Sequence, residues 1–425
     1  GATREVRVKL SLRDLASGTG IALPAVTSEV RADFDARGGA TFSMPARLDF
    51  GTRSADMVFS GTVAPGPAGR FVDGTLSGTQ LLPADLAAVA FLLGGSPGDG
   101  APPSAAPTPT AAAARTAPFW PALHARLALK FESVSLPHAV LRDVRGTLQV
   151  DPATLSLSGG TASLGEGGAA RLDGQLAFAR GSTAPYSFQA GLAIDNVDSA
   201  PLFSALDPDR PPVVEGRFDL AARLAGTGAT PANLLDKVQG DLKLSSKGGR
   251  FRALRTDIVD AIRVSPSKIA DAIDTVSALF GKKSENLGTA LIESAKDLSE
   301  IRYDQMSVVA ERGPDLDLRL TELTLIAPEA RLAGSGRIAF AEGVPVQDQA
   351  LSVDIDMGVR GRLGRFMDLV GLLKDGQDEL GYAHIYQAIH LGGTLRNVDQ
   401  SQWRDMLIQA PLRKGGGLFD KLMGK

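Results

Sequence analysis

The sequence predicts a mainly β protein, and three observations carry that prediction. Apolar and polar residues alternate with a period of two over many short stretches, most clearly in "LSVDIDMGV", where Leu351, Val353, Ile355, Met357 and Val359 share one side. Glycine (48) and proline (25) interrupt these stretches as turn residues do. A five-residue phrase, Gly, polar or small, apolar, any, apolar, recurs as "GTLQV", "GQLAF", "GRFDL", "GDLKL" and "GRIAF". The phrase alone is weak in so glycine-rich a chain, whereas the sustained alternation asks for one apolar face shared by many strands.

At 425 residues the chain exceeds the roughly 250 to 300 at which one compact core stops growing, so it is multidomain or extended. Lys and Arg (45) balance Asp and Glu (48) and the two signs are well mixed, which gives no basic field for nucleic acid. The absence of cysteine excludes disulfides and thiolate metal sites. No run of about 18 to 20 apolar residues is present. Aromatic residues make up only 5%, which favours a smooth aliphatic surface over an aromatic-lined pocket.

Residues 1–93 read as a β-rich segment: Val6 to Leu10 alternate, "ATFSMPARLDFG" and "DMVFSGTV" form short strands, and a helix starts at Pro83 and ends at Gly94. Residues 94–117, rich in Pro, Ala and Gly, cannot bury a core and read as a linker. From 118 to 254 strands return, with Leu129 and Phe131, Leu148, then Leu176 and Phe178 at alternating positions. The stretch from Val213 to Leu254 is the clearest unit. Phe218, Leu220, Ala222 and Leu224 alternate with Arg217, Asp219, Ala221 and Arg223. Thr230 and Pro231 start a short helix, "PANLLDKVQ", that Gly240 ends. Leu242 and Leu244 then define a second strand.

Residues 255–300 change to a helical period, with Ile269, Ile273, Val276 and Phe280 on one side and a second helix after Ser284; both read as cover for the sheet. Strands resume over 301–410 with Leu316, Leu318 and Leu320, then Leu323 and Leu325, where the change of parity implies a turn or bulge. A last helix, "RLGRFMDLVGLL", puts Leu363, Phe366, Met367 and Val370 on one stripe. Residues 411–425 form a flexible basic amphipathic tail whose Leu418, Phe419, Leu422 and Met423 are candidates for contact with a membrane surface.

No catalytic constellation emerges. His124, His138, His384 and His390 are too scattered for a zinc site, and no His-Glu-x-x-His motif is present. Asp315 with Asp317, and Asp354 with Asp356, read as solvated carboxylates. Neither a phosphate loop nor a "GxSxG" elbow occurs. The chain reads as a non-enzyme without metal or cofactor.

The phrase "VEGRFDLAARLAGTGATPANLLDKVQGDLKLSSKGGRFRAL" resembles the C-terminal region of the AsmA-like family of bacterial envelope proteins. The likeness extends to "LRDVRGTLQVDPATLSLSGGTASL", "LTELTLIAPEARLAGSGRIAF" and "HLGGTLRNVDQSQW", roughly residues 120 to 410, with Val398 where the family often has proline. The resemblance implies an elongated, curled antiparallel β-sheet forming a hydrophobic groove, with short capping helices, that holds or conducts phospholipid or other acyl-chain lipid between membranes. It further implies a periplasmic location and a tether to the inner membrane through an N-terminal segment not in this chain. The groove candidates are Leu129, Phe131, Leu148, Leu176, Phe178, Phe218, Leu220, Leu224, Leu242, Leu244, Leu316, Leu318, Leu320, Val353, Ile355 and Met357. Envelope protein partners are the alternative: a periplasmic assembly factor for outer-membrane proteins, built as a closed sandwich or using an exposed sheet edge. Groove and sandwich both need one apolar face, so alternation does not separate them. A hydrolase or carbohydrate-acting protein is disfavoured by the missing motifs and few aromatics.

Overall fold

A computed structural model describes residues 4–12, 24–50, 53–66, 69–82, 85, 118, 120, 123–136, 139–201, 212–230, 232–234, 237–254, 297–298, 300–369 and 371–407. The expected β class is what it shows: the described strands number twenty, all of one sheet. The chain divides into two compact units, Gly1–Val197 with Ala221–Gly240, and Asp198–Leu220 with Asp241–Lys425. No described helix is long and apolar enough to cross a membrane.

In the first unit, β1 (Arg4–Leu12), β2 (Ala25–Phe34), β3 (Ala40–Asp49), β4 (Ser54–Gly66) and β5 (Gly69–Leu81) pair in succession, all antiparallel. A second antiparallel run follows: β6 (His124–Leu136), β7 (Ala139–Asp151), β8 (Thr154–Leu164), β9 (Gly168–Phe178) and β10 (Tyr186–Asp198). The junction corrects the expectation of a wholly antiparallel sheet, because β6 lies parallel to β5, with Phe71 opposite His124 and Gly78 opposite Phe131. A parallel neighbour needs a crossover of a dozen or more residues. Here the connection spans residues 82–123, the low-complexity stretch included.

β11 (Val214–Gly228) and β12 (Gln239–Phe251) contribute to both units. Between them the sequence predicts a helix from Pro231, and the structure shows a single 3-10 turn, Ala232–Leu234. Thr230 caps it as expected, its hydroxyl accepting the Asn233 N–H at 3.3 Å. Gly240 has φ +151°, and a Cβ there would lie 1.9 Å from the Arg223 carbonyl oxygen, so the approach of β12 to β11 at this point requires glycine.

The second unit continues with β13 (Ile301–Tyr303), β14 (Gln305–Arg312), β15 (Leu318–Ile326), β16 (Ala330–Ile338), β17 (Leu351–Val359), helix α1 (Gly361–Leu369), β18 (Ala383–His384), β19 (Ile389–Gly393) and β20 (Val398–Asp399). The change of parity in the sequence is a register shift inside β15, between Leu320 and Leu323. Helix α1 lies where its stripe predicts, and the Glu329 carboxylate accepts the N–H groups of Arg362 at 3.2 Å and Leu363 at 3.1 Å, satisfying its first turn. The expected helix from Pro83, those within 255–300 and the tail lie largely or wholly outside the described residues.

Candidate functional site

Cross-strand register explains how the alternation becomes a surface. Successive residues of a strand point to opposite faces, so partners directly across the sheet share a face. Val6 stands opposite Ala32, then Phe42, Gly61, Gly74, Leu127, Leu148, Leu157, Gly174 and Ala190, one residue from each of β1 to β10. A neighbouring row runs Phe34, Ala40, Val63, Val72, Ala125, Val150, Leu155, Leu176 and Phe188. Neither row contains a polar side chain.

The row between them, on the other face, is Glu5, Asp33, Thr41, Thr62, Asp73, Arg126, Gln149, Ser156, Gln175 and Gln189. Every member is polar. Ten strands of the first unit therefore present one aliphatic face and one hydrated face.

The aliphatic face is dry at two places and half-covered between them. One buried cluster is Val26, Leu48, Ala55, Met57, Leu81 and Phe131; another is Trp120, Ala125, Val150, Phe178, Tyr186 and Leu234. Along β6 the chain passes from Ala125 in one to Phe131 in the other, and Leu127 and Leu129 between them are half-buried. Leu148, Leu155, Leu157, Leu176 and Phe188 are half-buried too. The first cluster is closed by polar anchoring: Asp85, fully buried, accepts from Arg53 at 2.6 and 3.2 Å and from the Leu82 N–H at 2.7 Å. In the second, the Trp120 indole donates to the Asp151 carbonyl at 2.9 Å.

The groove candidates divide accordingly. Leu129, Leu148 and Leu176 lie on the half-covered face of the first unit, while Phe131 and Phe178 sit in its buried clusters. Leu220, Leu224, Leu242 and Leu244 are half-buried and Phe218 is buried. Leu318 and Leu320 are half-buried on β15, but Leu316 precedes that strand in a turn, with φ +64°. Val353, Ile355 and Met357 are buried in the second unit at 6%, 1% and 0% exposure, on the strand against which α1 packs. Leu418, Phe419, Leu422 and Met423 lie outside the described residues.

Sequence reasoning missed the polar pairs. His124 lies 2.8 Å from Asp151, His390 lies 2.8 Å from Asp354, and His384 touches Asp356 at 2.6 Å and Asp378 at 3.2 Å. The hydrogen bond from His124 holds the Asp151 carboxyl below the usual carboxylate range. The Tyr382 N–H, followed by His384, does the same for Asp378. It missed too the cluster in which Arg252 donates to Glu215, Glu300 and the Pro212 carbonyl. These partners come from adjacent strands and loops, which no local spacing reveals.

No curated protein and no solved structure matches the chain. The model of the AsmA family matches residues 104–288, the stretch that carries β6 to β12. Over that stretch the chain is similar to the AsmA family, which supports the AsmA-like resemblance carried by the strand-and-glycine phrases of its sequence.

Proposed function

We propose that the protein carries phospholipid acyl chains on the aliphatic face of its sheet, in the bacterial envelope and on the periplasmic side, and takes part in phospholipid transport between membranes. One observation supports this reading above the others: the row from Val6 to Ala190 crosses ten strands without a polar side chain, and Leu127, Leu148 and Leu157 within it are only half-covered. Leaving such a surface to water is unfavourable, and a hydrocarbon chain laid on it recovers about 0.8 kcal/mol for each methylene taken out of water. Two acyl tails of roughly 30 methylenes together amount to the order of 20 kcal/mol, comparable with what holds them in a bilayer. The AsmA-family segment and the large sheet support an envelope role of this kind. The reading assigns no catalytic step.

The test is lipid extraction and native mass spectrometry of the purified protein, followed by transfer of a fluorescent phospholipid between vesicles. Bound phospholipid and accelerated transfer are expected. A lipid-free protein that neither binds nor transfers phospholipid overturns the reading and leaves an assembly role for outer-membrane proteins as the alternative.

A further inference from the structure

On the same aliphatic face one polar side chain has no explanation in the packing. Ser28 of β2 falls at an inward position between Val26 and Val30, opposite Leu10 on β1 and Ala46 on β3. It is 9% exposed, and its hydroxyl is buried without a hydrogen-bond partner. A buried hydroxyl in that condition is a net cost to folding, and alanine of nearly the same shape would avoid it.

The position of Ser28 on the face is as informative as its missing partner. Toward Val26 lies the dry cluster that includes Leu48, Ala55 and Met57. Toward Val30 the face opens: Val8 is 49% and Phe34 42% exposed, and Val30, Met44 and Phe59 are half-buried. The hydroxyl thus stands where an aliphatic surface able to take a chain ends against a plug that is closed.

We propose that Ser28 donates a hydrogen bond to the carbonyl oxygen of an acyl ester or carboxylic acid whose hydrocarbon tail lies along the open stretch from Val30 toward β6. The proposal rests on the lipid reading above and adds to it a polar end-stop. From β2 to β6 there are four strand spacings, about 19 Å at roughly 4.8 Å each, room for a long acyl tail lying across the strands. Leu10, opposite Ser28 and itself 38% exposed, is the side chain that turns aside to admit the carbonyl. The plug of Val26, Leu48 and Met57 stops the carbonyl from travelling further, so the hydroxyl sets the register of the chain rather than adding much to its total affinity.

Methyl palmitate and hexadecane, probes of comparable chain length with and without the ester, distinguish this contact from apolar burial. Their binding to the full chain is measured by native mass spectrometry for the native protein, Ser28→Ala and Ser28→Thr. The expected result is that Ser28→Ala weakens methyl palmitate roughly five- to tenfold, the loss of one hydrogen bond, while hexadecane is unchanged and Ser28→Thr keeps most of the ester preference. Thermal melting without lipid should be unchanged or slightly higher for Ser28→Ala, because no protein contact is lost. Equal binding of both probes by native protein and Ser28→Ala overturns the proposal and leaves the lipid reading standing. A marked drop in melting temperature overturns it as well, since the hydroxyl would then serve the fold. Failure of the native protein to bind either probe removes both.

Discussion

Arg252 donates to both carboxylate oxygens of Glu215, at 2.8 and 3.2 Å, and the same guanidinium reaches Glu300 at 3.0 Å and the Pro212 carbonyl at 2.9 Å. The Arg252 side chain is 11% exposed, and the two carboxylates 28% and 29%. Residues far apart in sequence are thereby tied to the end of β12.

Arg252→Met should therefore destabilise the protein by about 2 kcal/mol, below the loss expected for a fully buried pair because both carboxylates keep access to water. The Arg252 hydrogen bonds hold the Glu215 carboxyl below its ordinary value of 4.5. A depressed carboxyl stabilises the fold above its unfolded-state value, and that contribution disappears as pH falls through the lower folded value. Urea titrations at neutral pH and near about pH 4 should show a difference between native protein and Arg252→Met that shrinks with acid. A constant difference would contradict the assignment.

Tyr303 supplies an alkaline counterpart. It is 3% exposed, and its hydroxyl donates toward the Glu215 carbonyl at 3.1 Å and the Ser246 hydroxyl at 3.2 Å. Burial raises its phenol above the ordinary value of 10.0. The sign is opposite to that of Glu215: stability is full below the unfolded value and is lost as pH rises through the folded one. Tyr303→Phe should cost about 1 to 2 kcal/mol at neutral pH and flatten part of the alkaline decline in a pH series of thermal melts.

A charge placed on the aliphatic face should act differently in the two units. Leu148→Asp, on the half-covered face of β7, should cost about 1 to 2 kcal/mol and leave the protein folded, with lipid transfer reduced. Ile355→Asp, at a position 1% exposed, should cost about 4 kcal/mol or more and unfold or aggregate the protein. Circular dichroism melts beside a transfer assay separate the cases: loss of fold in Leu148→Asp, or normal transfer by the folded variant, would count against the open face.

Gly61 and Gly74 stand opposite each other in the row between Phe42 and Leu127. A Cβ on Gly61 would lie 2.2 Å from the Asp73 carbonyl oxygen. Gly61→Ala should then displace β5 from β4 and cost about 1 to 3 kcal/mol, visible as a lower urea midpoint. An unchanged midpoint would show that the two strands separate freely at this place.

Much of the sheet was legible because its signal is local. Alternation in "LSVDIDMGV" became β17, and the change of parity between Leu320 and Leu323 became a register shift inside one strand. The helix expected from Pro231 shrank to a 3-10 turn, although its Thr230 cap formed as read. Leu316, read as a strand position, instead lies in a turn that its φ of +64° makes unusual for a leucine. Alternation alone did not tell covered from half-covered: Leu148 and Ile355 carry the same pattern, yet Leu148 is half-buried and Ile355 only 1% exposed, because a period of two says which face a residue takes and not what packs over that face. The same applies to the His384 contact with Asp356 and to the parallel pairing, which depend on neighbours that the sequence does not place side by side.

The parallel seam between β5 and β6 has a consequence for how the first unit could be assembled. On either side of it lie two meanders, β1 to β5 and β6 to β10, each paired strand to next strand, so each can form through short-range contacts. Only the seam demands closure of the long connection over residues 82–123. Divided within that connection and produced as two polypeptides, the protein keeps both ladders whole and exchanges loop closure for an encounter between two chains, so that its stability becomes dependent on concentration. The two halves would then act as complementing fragments, joined in one direction along β5 and β6.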